Sequence, residues 1–261
     1  MIKKLIKYDV KNMTKILWIM YTISLGIAII ARLFDLGSRI QIIDVITKIC
    51  QGATYSAIAN ILINTYIHIL RVFITNFYKD ESYLTHTLPV NKQQLVLSKY
   101  ISSILVILAS VLVSIASLLI LFYDKNFFQN IENLLSAILY DFKLPVPLIL
   151  IGIIALIAVE VCTVMGMAFC AIIKAHTYNS QRIIKGIFWF IVYYFGAQTI
   201  LAWIFVFAFL VSGNFTELLA EKLSSSSFIL LTVISIIFYS VMTIVYYFFS
   251  LKLFQKGVNV D

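Results

Sequence analysis

The sequence is short of charge. Of 261 residues, only 12% are Asp, Glu, Lys or Arg, about half the usual share of a soluble domain. Mean hydropathy is +0.99. A water-soluble chain this apolar could not cover its own surface, so the solvent is mostly lipid. Cysteine is scarce too. Cys50, Cys162 and Cys170 are the full set; on one helix, Cys162 and Cys170 would sit about 12 Å apart, too far for a disulfide. They read as small apolar packing residues. No phosphate-binding G-x-x-x-x-G-K-[ST] loop occurs, because no glycine precedes a lysine anywhere. Neither H-E-x-x-H nor G-x-S-x-G is present. His68, His86 and His176 lack carboxylates at metal-site spacing. The chain shows no machinery for catalysis or metal binding of its own, and no basic cluster with interleaved aromatics that would bind nucleic acid.

What is present is a series of long apolar runs. Residues 49–70, 100–123, 186–216 and 223–251 carry no charge, and about 20 apolar residues cross the hydrocarbon of a bilayer. Two further spans contain one charge each. Residues 16–34 include Arg32, which can snorkel from one end, and residues 147–173 carry Glu160 in the middle. Pro145 and Pro147 suit the entrance of the latter, since proline is tolerated in a first helical turn. The expected fold is therefore all-α: a single six-helix transmembrane domain over 16–251, with spans near 16–34, 49–71, 100–123, 147–173, 186–212 and 226–251. A tail follows at 252–261. Residues 1–15 place Ile2, Leu5, Ile6, Val10 and Met13 near one helical face, with five lysines around it. That pattern reads as an amphipathic helix lying in the membrane interface.

Fourteen of the twenty Lys and Arg residues fall in the N-terminus, the second and fourth loops and the C-terminus. By the positive-inside rule both termini are cytoplasmic, and the protein is multi-pass in the plasma membrane. The net charge of +8 is a topology signal.

The longest polar stretch, NFYKDESYLTHTLPVNKQQLVLSKY at 76–100, lies in the second loop. Asp80 is a candidate N-cap and Glu81 complements a helix dipole in the first turn. Tyr83, Leu84, Thr87 and Leu88 share one face of about two helical turns. Pro89 ends that helix, and Asn91 with Gln94 resembles a capping box that restarts one. Two isolated turns do not persist in water, so something holds them: the membrane, the rest of the chain, or another protein.

This segment resembles the one after the second transmembrane helix in small bacterial ABC transporter permeases of the type-2 exporter kind. The matching residues are Asp80, Glu81, Tyr83, Leu84, Leu88, Pro89, Val90, Leu95, Ser98 and Lys99. Ser82 stands where glycine is frequent and Asn91 where serine is frequent. The resemblance implies that Asp80, Glu81, Tyr83, Leu84, Thr87, Leu88 and Pro89 form a coupling helix docking on a separate ABC ATPase subunit. ATP and Mg2+ would then be bound by that partner, with no cofactor on this chain. It also implies that two copies, or one copy and a related permease, combine with two ATPase subunits to export an amphipathic peptide, toxin, antimicrobial or lipid-like molecule. The same motifs would serve an immunity or sensing subunit that binds a membrane-active peptide without moving it.

Polar residues inside the spans are the pathway candidates. Asn60, Asn64, His68 and Arg71 form one stripe on the second span, which should face helices, a dimer seam or a cavity. Glu160, near midplane, costs several kcal/mol unless paired, protonated or wetted. Two readings stand for it: a transport site, or a buried acid tying helices together, with Thr163 one turn on as a hydrogen-bond partner. Ser103, Ser110, Ser114 and Ser117 give the third span a close-packing face. Residues 213–227 are expected to form one short helix on the outer side, and the family resemblance implies that it is a lid or gate at the external mouth.

Overall fold

The computed structural model describes residues 2–36, 41–79, 82, 87, 90–122, 127–138, 144–213, 216 and 224–255. Among them are seven α-helices and no strand. They are α1 (Ile2–Leu36), α2 (Gln41–Tyr78), α3 (Lys92–Phe122), α4 (Phe127–Ile138), α5 (Val146–Ala175), α6 (Arg182–Ser212) and α7 (Ser225–Gln255). All but α4 are long and apolar enough to cross a membrane, so the chain is a multi-pass membrane protein. The helices outrun the uncharged runs because a helix need not stop where the hydrocarbon does. The 38 residues of α2 extend about 57 Å at 1.5 Å per residue, against about 30 Å of hydrocarbon. The described chain falls into two compact units, the first ending at Tyr123 and the second beginning at Asp124.

In the first unit α1 packs on both α2 and α3, and α2 packs on α3. The inward face of α1 is Asp9, Met13, Leu17, Tyr21, Ser24, Ala28 and Ala31, all buried. Their spacing of three or four makes one continuous stripe. On α3, Ser98, Ser102, Ser103, Ser110, Ser114 and Ser117 are buried as well. Small residues let backbones approach where lipid supplies no hydrophobic drive for helices to associate. The hydroxyls are satisfied first within their own helix. Ser102, Ser103, Ser110 and Ser114 each donate to the carbonyl four residues back, at 2.6, 2.7, 3.0 and 2.9 Å.

Several of those hydroxyls then reach across. Tyr21 Oη lies 2.6 Å from Ser110 Oγ, Thr65 Oγ1 lies 2.8 Å from the same atom, and Ser24 Oγ is 3.1 Å from Ser117 Oγ. Ser110 thus joins α1, α2 and α3 at one node. Residues 2–15, expected as an interfacial helix leading into the first span, run without interruption into that span as part of α1. Asp9 and Met13 from this segment are buried.

In the second unit α5 is central, packing on both α6 and α7. Pro145 precedes it in extended geometry, and Pro147 lies in its first turn. The amphipathic α4 was not expected from the sequence. It closes a small apolar cluster in which Ile131 and Leu135 meet Val146, Ile149, Ile153 and Phe228. From Met165 to Ala171 α5 is buried all round, and Gly166, Ala168 and Ala171 keep that stretch slim. Between α5 and α6 the chain turns through Gln181 in left-handed geometry (φ 53°). Helix α6 ends on Gly213 (φ 75°), whose N–H donates to Leu210 O. The absence of a Cβ makes that conformation cheap. Of the lid expected at 213–227, only Gly213, Thr216 and Ser224 to Ser227 are described, and Ser225 already starts α7.

Candidate functional site

Most of the expected coupling segment, namely Asp80, Glu81, Tyr83, Leu84, Leu88 and Pro89, lies outside the described residues. Of its described members, Thr87 is helical and exposed, while Ser82 is helical and buried, its N–H donating to Lys79 O at 2.7 Å. Both flanks are well defined. Helix α2 ends in a buried aromatic group, Phe73, Phe77 and Tyr78, with Phe73 and Phe77 edge to face at 4.8 Å. Helix α3 starts on Asn91, whose carbonyl accepts from the N–H groups of Gln94 (2.9 Å) and Leu95 (3.2 Å).

Where α3 begins, an ion pair is buried. Lys99 Nζ donates to Asp9 Oδ1 at 2.5 Å, the two side chains being 4% and 5% exposed. Ser98 Oγ donates to the second carboxylate oxygen at 3.2 Å, and Ser102 Oγ reaches Ile6 O at 3.5 Å. Two carboxylate oxygens and two donors from consecutive α3 residues clamp the N-terminal third of α1 to the first turns of α3. Sequence reasoning counted Ser98 and Lys99 among the matching residues but overlooked Asp9.

On α2 the polar stripe is only partly assembled. Asn64 Nδ2 donates to Asn60 O at 2.9 Å and also to Asn60 Oδ1. His68 Nε2 is buried with no hydrogen-bond partner among the described residues, and none of their ion pairs includes Arg71. Asn60 and Arg71 are exposed, Asn64 and His68 half-buried. The buried face of α2 is instead Thr54, Ile61, Thr65, Ile69 and Val72. The polar stripe sits one residue back from it, about 100° around the helix.

Glu160 lies in a second polar cluster, built from three helices of the second unit. Tyr239 Oη of α7 lies 3.5 Å from Glu160 Oε1 of α5. The amide of Gln198 on α6 straddles the same hydroxyl, Nε2 at 3.2 Å and Oε1 at 3.3 Å. Tyr239 is buried, while Glu160 and Gln198 are half-buried. Thr163, expected to bond Glu160, does not. Its Oγ1 takes Val159 O (2.9 Å), Tyr239 O (2.8 Å) and Thr243 Oγ1 (2.8 Å), pinning α5 to α7. Gln198 and Tyr239 are the members of this site that sequence reasoning missed. All three cysteines are free, and no group of three or more potential metal ligands occurs among the described residues. Compared with protein-family models, curated proteins and solved structures, the chain matches none.

Proposed function

We propose that this chain is the membrane-embedded permease subunit of an ATP-binding-cassette exporter. In this reading it lies in the plasma membrane with both termini cytoplasmic. It dimerises with a second copy or a related permease, and carries an amphipathic cargo using ATP and Mg2+ held by separate ATPase subunits. The observation that carries the reading is the polar motif at 76–100, which runs from the end of α2 into the start of α3. Helix α2 ends at Tyr78 in a buried aromatic group, and α3 restarts at Asn91 and Lys92. A partner gripping the segment between them pushes on α2 and α3 directly. The Asp9–Lys99 pair passes any displacement of the start of α3 to α1. Tyr83, Leu84 and Leu88 supply the apolar face of the grip, and Asp80 and Glu81 its charged end.

The test is purification of the tagged chain from its native membranes in mild detergent. The preparation should contain a soluble subunit that photolabels with azido-ATP and hydrolyses Mg-ATP. With Tyr83→Asp and Leu84→Asp together, the chain should remain in the membrane and lose that subunit. Failure to recover any nucleotide-labelled subunit, or its undiminished recovery with the double variant, refutes the proposal.

A further inference from the structure

The Glu160 cluster has a chemistry of its own. Glu160 sits midway along α5, and the ion pairs among the described residues are Arg32–Asp35, Lys48–Asp44 and Lys99–Asp9, none of which involves it. The nearest cation along its own helix is Lys174, about 21 Å away at 1.5 Å per residue. An intramembrane carboxylate without a countercharge is costly and marks a functional site by default. The neighbouring polar groups form a donor chain that ends on Glu160. Gln198 Nε2 can donate to Tyr239 Oη, and that hydroxyl can donate in turn to Glu160 Oε1. Glu160 Oε1 and Gln198 Oε1 both lie within 3.5 Å of the Tyr239 hydroxyl oxygen. Three oxygens from three helices, one of them on a carboxylate, thus gather at the Tyr239 hydroxyl, together with the Tyr239 O–H and Gln198 Nε2 donors. An ammonium group brings three N–H donors and no acceptor, which suits the acceptor oxygens of this set. With a single carboxylate, the cluster lacks the oxygen-rich donor set of a divalent cation. Both Glu160 and Gln198 are only half-buried, so part of each side chain faces outward from the three helices.

We propose that Glu160, Gln198 and Tyr239 form a binding site for the ammonium group of an amphipathic molecule. The ammonium pairs with Glu160 and shares its remaining N–H donors with Tyr239 Oη and Gln198 Oε1, while the apolar tail stays among the α6 aromatics. Identification of that molecule as cargo rests on the exporter reading; the binding itself does not, and it needs neither ATP nor a partner subunit.

The test uses the full chain alone in phosphatidylcholine nanodiscs, with tritiated octylammonium as the probe. Saturable binding is expected, displaced by unlabelled octylammonium and not by octanol. Glu160→Gln should weaken it by about tenfold or more, as expected for loss of one partner of a desolvated charge pair. Tyr239→Phe and Gln198→Leu keep the carboxylate and should each weaken the probe without creating affinity for octanol. They also carry the test if Glu160→Gln fails to assemble. Absence of saturable binding, equal displacement by octanol, or unchanged affinity in the variants that fold overturns the proposal. Because no ATPase takes part, a negative result here leaves the exporter proposal standing, and loss of the exporter proposal leaves this one.

Discussion

Replacing Lys99 with methionine tests the packing of the first unit most directly. The wild-type pair is 2.5 Å long, with both side chains at most 5% exposed. At an effective dielectric constant of about 20 that separation corresponds to about 6–7 kcal/mol of attraction. Desolvating the two ions costs several kcal/mol each, so the net contribution of the intact pair is small. The asymmetry lies in breaking it. Lys99→Met leaves Asp9 buried with only the Ser98 hydroxyl, 3.2 Å from Oδ2, and should destabilise the protein by about 3–5 kcal/mol. Asp9→Asn should also destabilise the protein, by removing the carboxylate that pairs with the ammonium. Asp9→Leu combined with Lys99→Met removes both charges, and should recover most of the loss.

The assay is equilibrium unfolding of the purified chain in mixed micelles, followed by tryptophan fluorescence and helical circular dichroism. Four proteins close the cycle: wild type, Asp9→Leu, Lys99→Met and the double variant. A coupling energy of about 3 kcal/mol is expected, little changed by added salt because a buried pair is poorly screened. Asp44→Asn is the control. Its partner Lys48 is 71% exposed, and such a pair contributes about 0–1 kcal/mol. Additive effects of the two single changes, or a coupling energy no larger than that of the surface pair, would refute the argument that α1 is clamped to α3 by charge.

Two smaller perturbations address the rest of the fold by the same unfolding assay. Ser110→Ala removes the hydroxyl shared by Tyr21 and Thr65 and should cost about 1 kcal/mol, the range of interhelical hydrogen bonds in membranes. Ser110→Leu should cost more, about 1–3 kcal/mol from overpacking, since Ser110 is fully buried; equal effects of Ala and Leu would mean the node is not close-packed. Gly213→Ala places a Cβ at φ 75° with open space around it, so only backbone strain acts, and a loss of about 1 kcal/mol is expected.

The transmembrane helices were legible because absence of charge over about 20 residues is a local property, readable without knowing any contact. Helix α4 was not. Its sequence FFQNIENLLSAI has 12 residues and includes Glu132, so a search for uncharged runs passes over it. The signal that could have found it is the helical spacing of Ile131 and Leu135, which face a common apolar cluster. The close-packing face of α3 was legible for a similar reason, since Ser103, Ser110, Ser114 and Ser117 recur at helical spacing. Asp9 was hidden by its neighbours. One acid among five lysines looks like part of a solvated basic flank, and its partner is ninety residues away.

Glu160 shows why the partners of polar groups inside a membrane are harder to read than the helices that carry them. Thr163 was the natural local partner, one turn away. In lipid a hydroxyl has no water to turn to, and the nearest acceptor is the carbonyl four residues back in its own helix. Thr163 takes that bond to Val159 and then joins Tyr239 O and Thr243. The same habit recurs at Thr65 and along the α3 serines. Hydroxyls with their helical bonds already made are poor indicators of a distant site. The side chains left to build one are those with groups a helix backbone does not satisfy in this way: carboxylate, carboxamide and phenol. On α5, α6 and α7 these include Glu160, Gln198 and Tyr239, and those three meet. On α2 the stripe Asn60, Asn64, His68 and Arg71 adds an imidazole and a guanidinium to two carboxamides. There the Asn64 carboxamide donates to Asn60, and the imidazole Nε2 is left without a partner among the described residues. The two clusters differ in kind: one has converged around a carboxylate, and the other is a row along a single helix.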